Sequence, residues 1–349
     1  MEAFKNAIKA HCQKYPDLEI QDLFKFLHQS AFGCEHLVSS PEASCDYILS
    51  EYKGCAKKGA LIEPLGGEFS RVNLAYLDTG LSAFTLSWLF YLSSREEKRD
   101  ESNFNNMLLA LKELACSKEI PFSWDELEEK LSWWAEKGYQ PLHHSDKFRE
   151  KYSPAYRVIS NKYVKYLELF AKIDKMSKSG QVILAIDGRC ASGKTTLAGI
   201  LKEVYDLNLF HMDDFFLRPE QRTRERFLEI GGNIDHERFK SEVLEMLVSG
   251  KPFSYFKFEC SKMSLSNEPT LVMPKSINLI EGVYSMHPLL FPFYNLTVLL
   301  DVDQDTQRER LLKRNPQMAE RFFSEFIPLE EKYFLASDLK SKTDLYFLN

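Results

Sequence analysis

At 349 residues, with 44% hydrophobic and 28% charged residues, the chain is long enough for two hydrophobic cores and shows no composition typical of a disordered tail. A net charge of −6 argues against nucleic acid as a partner, so any anionic ligand has to be met by a local cluster of positive charge. The longest apolar run, "LSAFTLSWLFYL" at 81–92, is too short to cross a bilayer, and the N-terminus has no apolar signal core, which points to a cytoplasmic protein without a membrane partner.

From residue 1 to about 172 the pattern is mainly helical. Apolar residues recur at spacings of three and four in "LFKFLHQSAF", "FNNMLLALKELA" and "LEEKLSWWAEKG". Trp88, Trp124, Trp133 and Trp134 read as core residues. Polar groups stand out at His36, Glu68, Arg71, Asn73, His143, His144, Tyr152, Tyr156 and Arg157. A second ligand site on Arg71 and His36 competes here with satisfied structural polar groups, which fit better. His143 and His144, as neighbours, point in different directions and make a poor metal site. The stretch "YRVISNKYVKYLELFAKIDKMSKSG" reads as one long helix running into a domain boundary near 174–180. Seven scattered cysteines without a CxxC pair suit free thiols.

Beyond the boundary, short β-branched runs alternate with helical ones: "QVILAID", a helix from Lys194, "LNLFHMD", "DHERFKSEVLEMLVSG", "INLIEG", then "LTVLLDVD" and a further helix. Such alternation predicts a parallel sheet with helical crossovers. The expected organisation is therefore a mainly α-helical domain over 1–174 followed by an α/β domain over 175–349.

The first turn of that α/β domain, "DGRCASGKTT", fits GxxxxGK[ST] between a strand and a helix, the pattern of a phosphate-binding loop. This places Gly188, Ala191, Ser192, Gly193, Lys194, Thr195 and Thr196 around the phosphates of ATP. Lys194 neutralises charge, and the Thr195 hydroxyl is a ligand for Mg2+. Parallel strands deliver their C-terminal ends to one rim, so Asp187, Asp213, Asp214, Glu281, Asp301 and Asp303 are candidate carboxylates beside the loop. The Asp301/Asp303 pair fits a cap or turn role better.

Six ordered pieces, "IDGRCASGKTT", "HMDDFFL", "GGNIDHERF", "IEGVYSMHP", "LDVDQDTQRERLLKRN" and "FIPLEEKYF", resemble the uridine kinase, phosphoribulokinase and pantothenate kinase group over residues 181–335. The resemblance implies a three-layer P-loop NTPase fold. It also implies Asp213 as the base for an acceptor hydroxyl, with Asp213 and Glu281 near the metal, and Asp235 as a substrate contact. In "QRERLLKRN" Arg310 and Arg314 lie four apart on one helix face, ahead of Pro316, as in a lid that closes on phosphates. Arg222 is a candidate contact for an anionic acceptor, and Tyr255 for stacking on an acceptor ring. Cys260 departs from that group, which carries a histidine there; a thiol cannot read a pyrimidine edge as imidazole does. The acceptor is then a small molecule with a hydroxyl, a nucleoside or a related metabolite. The competing expectation is a nucleotide-dependent switch or hydrolase with the N-terminal domain as effector or ligand sensor. Self-association into a homo-oligomer is left open.

Overall fold

The computed structural model describes residues 1–34, 40–53, 60–95 and 100–349. The chain divides into two compact units, Met1–Lys175 and Met176–Asn349. His36 lies outside the described residues.

The N-terminal unit is built mainly of helices, the longer ones being Glu2–Lys14, Ile20–Phe32, Pro41–Tyr52, Ala83–Ser94, Glu101–Cys116 and Trp124–Glu136. It also contains a three-stranded antiparallel sheet of β1 (Ile62–Pro64), β2 (Phe69–Asn73) and β3 (Tyr156–Ser160). The sheet corrects the sequence expectation of one long helix from Tyr156. "YRVIS" is aromatic and β-branched; it pairs with β2 and buries Arg157, Val158, Ile159 and Ser160, and the helical pattern resumes only after it. Of the four tryptophans read as core, Trp134 is fully buried and stacks on Phe24 with centroids 5.1 Å apart, whereas Trp133 is 47% exposed. Successive side chains on a helix point about 100° apart, and on this helix only the face of Leu127 and Trp134 is buried.

The C-terminal unit is an α/β fold. Its central sheet runs β12 (Leu345–Leu348), β11 (Leu296–Asp301), β4 (Val182–Gly188), β10 (Ile277–Glu281), β5 (Leu207–His211), with every neighbouring pair parallel. Two small hairpins, β6 (Phe253–Tyr255) with β9 (Thr270–Val272) and β7 (Phe258–Glu259) with β8 (Ser264–Leu265), sit between β5 and β10 in sequence. β4 is buried along its whole length, as a central parallel strand covered on both faces must be. Because the strands are parallel and in register, Gly188, Glu281 and His211 emerge together. Glu281 pairs with Ile186 on one side and His211 on the other, and Gly188 pairs with Leu300.

Candidate active site

The turn after β4 is shaped by residues that tolerate unusual backbone. Gly188 has φ 145°, and a Cβ there would be driven into the Leu300 carbonyl oxygen. Ala191 (φ 58°) and Gly193 (φ 100°) complete the curl, and Gly193 caps the helix Lys194–Val204. The outside of the loop is held by side chains from five directions. Asp187 Oδ1 accepts from the Gly188 amide (2.6 Å), Glu330 from the Cys190 amide (2.9 Å), and Gln307 Nε2 donates to the Cys190 carbonyl (3.0 Å). Arg310 donates to the Ala191 carbonyl (3.1 Å), and Asn349 Nδ2 to that of Ser192 (2.5 Å). With these outer groups satisfied, the amides of Ala191, Gly193, Lys194, Thr195 and Thr196 have no acceptor among the described residues. Convergent free amides at a helix N-terminus, beside a buried lysine, form an anion cradle.

The C-terminal unit has a P-loop NTPase-like fold. Lys194, 8% exposed, presently donates to the carbonyls of Gly188 (2.8 Å) and Arg189 (2.9 Å). Two residues of the predicted phosphate set differ from the rest. The Ser192 amide already donates to Arg189 (3.1 Å) and its hydroxyl is fully buried, while the Gly188 amide is taken by Asp187; both therefore shape the loop rather than offer donors.

Across the rim, Thr195 Oγ1 lies 3.4 Å from Glu281 Oε1, which also receives His211 Nδ1 at 2.6 Å. That hydrogen bond, ahead of the desolvation that opposes it, raises the His211 pKa. Asp213, in the turn that follows β5, makes no hydrogen bond or ion pair among the described residues. Desolvation in the crevice and then the Glu281 charge lift its carboxyl above the ordinary range, while Lys194 and His211 pull it down. Asp213 is thus within electrostatic reach of the lysine, the acid and the imidazole. His211 was not singled out in the sequence, although its place at the end of a strand beside that of Glu281 was the available signal.

Several candidates have other duties. Asp187 is fully buried, accepts from Met286 N (2.9 Å) and Tyr333 OH (2.7 Å) as well as Gly188, and burial raises its pKa. Asp214 pairs with Lys257 at 2.8 Å, and Asp303 caps the helix Gln304–Arg314 through Thr306 N (2.8 Å). Asp301 accepts from Arg189 (2.5 Å) and Tyr346 (2.9 Å). Asp235 is 3% exposed, and its two oxygens accept from Arg238 N (3.1 Å) and Gln221 Nε2 (2.7 Å), so in this structure it caps a turn. Tyr255 is 2% exposed and its ring stacks on Phe215 (centroids 5.4 Å) within the core. Arg222 is exposed, donates through Nε to Leu217 O (3.0 Å) and lies 5.9 Å from the Phe258 ring. Of the two lid arginines Arg310 reaches the loop, whereas Arg314 is exposed without a hydrogen bond or ion pair among the described residues.

No protein-family profile and no curated protein matches the chain. Solved structures do. A possible uridine kinase from Bacillus stearothermophilus matches at 22% identity and TM-score 0.38, over 52% of this chain and 99% of that one. D-glycerate 3-kinase from Cryptococcus neoformans matches at 14% identity and TM-score 0.31, over 44% and 78%. At these identities the likeness concerns the fold alone.

Among the described residues no helix is long and apolar enough to cross a membrane, and no group of three or more His, Cys, Asp or Glu is placed to hold a metal.

Proposed function

We propose that the C-terminal unit is a P-loop phosphotransferase that moves the γ-phosphoryl group of ATP to a hydroxyl of a small molecule. The observation that carries it is the unpaired Asp213 carboxylate within reach of Lys194, on the rim where five loop amides are free. Ala191, Gly193, Lys194, Thr195 and Thr196 would hold the phosphates, and Thr195 with Glu281 would hold the metal. Bound Mg-ATP would supply the transferable phosphoryl group and the divalent charge that offsets its phosphates. Asp213 accepts the proton of the acceptor hydroxyl, as a carboxylate above its ordinary pKa is suited to do near neutral pH. Lys194 turns from the Gly188 and Arg189 carbonyls to the phosphates, and Arg310 adds positive charge from the helix above the loop. His211 holds Glu281 in place. Arg222 remains the candidate contact for an anionic part of the acceptor.

The test is ADP release by the full chain across a panel of nucleosides, sugars and vitamins, each against an acceptor-free control. Acceptor-stimulated release that Asp213→Asn removes supports a kinase with this base. Release that ignores every acceptor would instead favour the hydrolase or switch.

A further inference from the structure

A buried polar cluster in the N-terminal unit is left open in a way a purely structural cluster would not be. Arg71, on β2, is 2% exposed, between the rings of Tyr156 (4.7 Å) and Phe26 (5.3 Å). Its Nε donates to Gln29 Oε1 at 2.9 Å, but Nη1 stands 3.7 Å from Glu63 Oε2, too far for a hydrogen bond, and Nη2 has no acceptor among the described residues. Glu63 cannot close on the guanidinium because it is already shared. Its Oε1 is bound to His11 Nδ1 (2.8 Å), and Lys14 lies 3.5 Å from Oε2. His11 is itself 1% exposed, and its Nε2 has no partner among the described residues. Beside it, His144 bridges Asp22 (2.8 Å) and the Tyr156 hydroxyl (2.7 Å), so that carboxylate is also engaged.

Leaving the outer N–H groups of a buried guanidinium unmet costs free energy that the fold recovers only if something else accepts them. The charges agree. Arg71, Lys25 and Lys14 against Glu63 and Asp22 leave one positive charge uncompensated, and Arg149 adds to it from an exposed position. The Arg71 charge also helps to depress Lys25 to about 8, after burial, and His11 and His144 to about 4. A planar fork with Nη2 unpartnered and Nη1 held only loosely by Glu63 is a geometry that can take two oxygens of one anion in parallel.

We infer that the Arg71 guanidinium forms a binding site for the carboxylate or phosphate group of a small molecule in the N-terminal unit, separate from the P-loop. The full chain carrying Lys194→Ala, which weakens the competing phosphate cradle, is titrated calorimetrically with inorganic phosphate in one arm and acetate in the other. The expected result is one saturable site per chain in at least one arm, the arm identifying the anion. Arg71→Lys, which keeps the charge but loses the fork, is expected to weaken it by about tenfold or more. Arg71→Met should abolish it. Circular dichroism checks both variants, and if Arg71→Met does not fold, Arg71→Lys decides. As a readout free of Arg71 substitutions, the same anion should raise the unfolding temperature of the Lys194→Ala chain. No binding in either arm, or binding that Arg71→Lys leaves unchanged, would overturn the site.

Discussion

The His211 imidazole is held on Glu281, and its pKa is raised above the ordinary value of about 6.5. The folded chain therefore keeps this proton to higher pH than the unfolded chain does. The stabilisation it brings is complete below about pH 6.5 and fades as the pH rises through the folded value. Melting temperatures of the wild type and His211→Gln should accordingly differ most in mildly acidic buffer and converge in alkaline buffer; a constant gap would show that the pair does not titrate. At Asp213 the same reasoning applies to rate. If Asp213 acts on the acceptor proton as proposed, Asp213→Asn should lower kcat by about 10²–10⁴-fold while ATP affinity moves little. Lys194→Ala should instead remove both nucleotide affinity and turnover. Steady-state kinetics together with nucleotide titration separate the two patterns.

At the level of elements, the loop after β4 is a turn fixed from outside by Asp187, Glu330, Gln307, Arg310 and Asn349. Gly188→Ala should abolish nucleotide binding and lower stability, because its Cβ would lie 1.9 Å from the Leu300 carbonyl oxygen; thermal melts and nucleotide titration check both parts. In the N-terminal unit Asp22, fully buried, accepts from Glu19 N, Ser145 N, Ser145 Oγ and His144. Burial works against its charge, yet these donors prevail and hold the carboxyl at about 2. Asp22→Asn should therefore cost about 2–3 kcal/mol in denaturant unfolding. The parallel sheet was legible because each of its first four strands is a short, largely apolar run between helical stretches, and the loop because its glycines and lysine keep a fixed spacing. β3 was not, since "YRVIS" joins a helical sequence without a break and only its partner β2 makes it extended. The packing of Asp235 and Tyr255 was not legible for a related reason: residue type names a chemistry, and only the fold decides which neighbours a side chain meets.

The whole molecule consists of two compact units of nearly equal length. If each unfolds as its own cooperative block, calorimetry should resolve two transitions, and Mg-ATP should raise only the one that Lys194→Ala renders insensitive to nucleotide. A single transition, or an equal rise of both, would mean that the units melt as one. Lys194 adds a consequence of its own. Its ammonium is clamped on two carbonyls of the very turn it serves, so an incoming ligand competes with the backbone for it. On the proposed function, a polyphosphate long enough to bring oxygens to that nitrogen would be favoured in the exchange. A nucleoside monophosphate would leave the clamp shut, and the turn would thereby measure the length of the phosphate chain before any reaction begins.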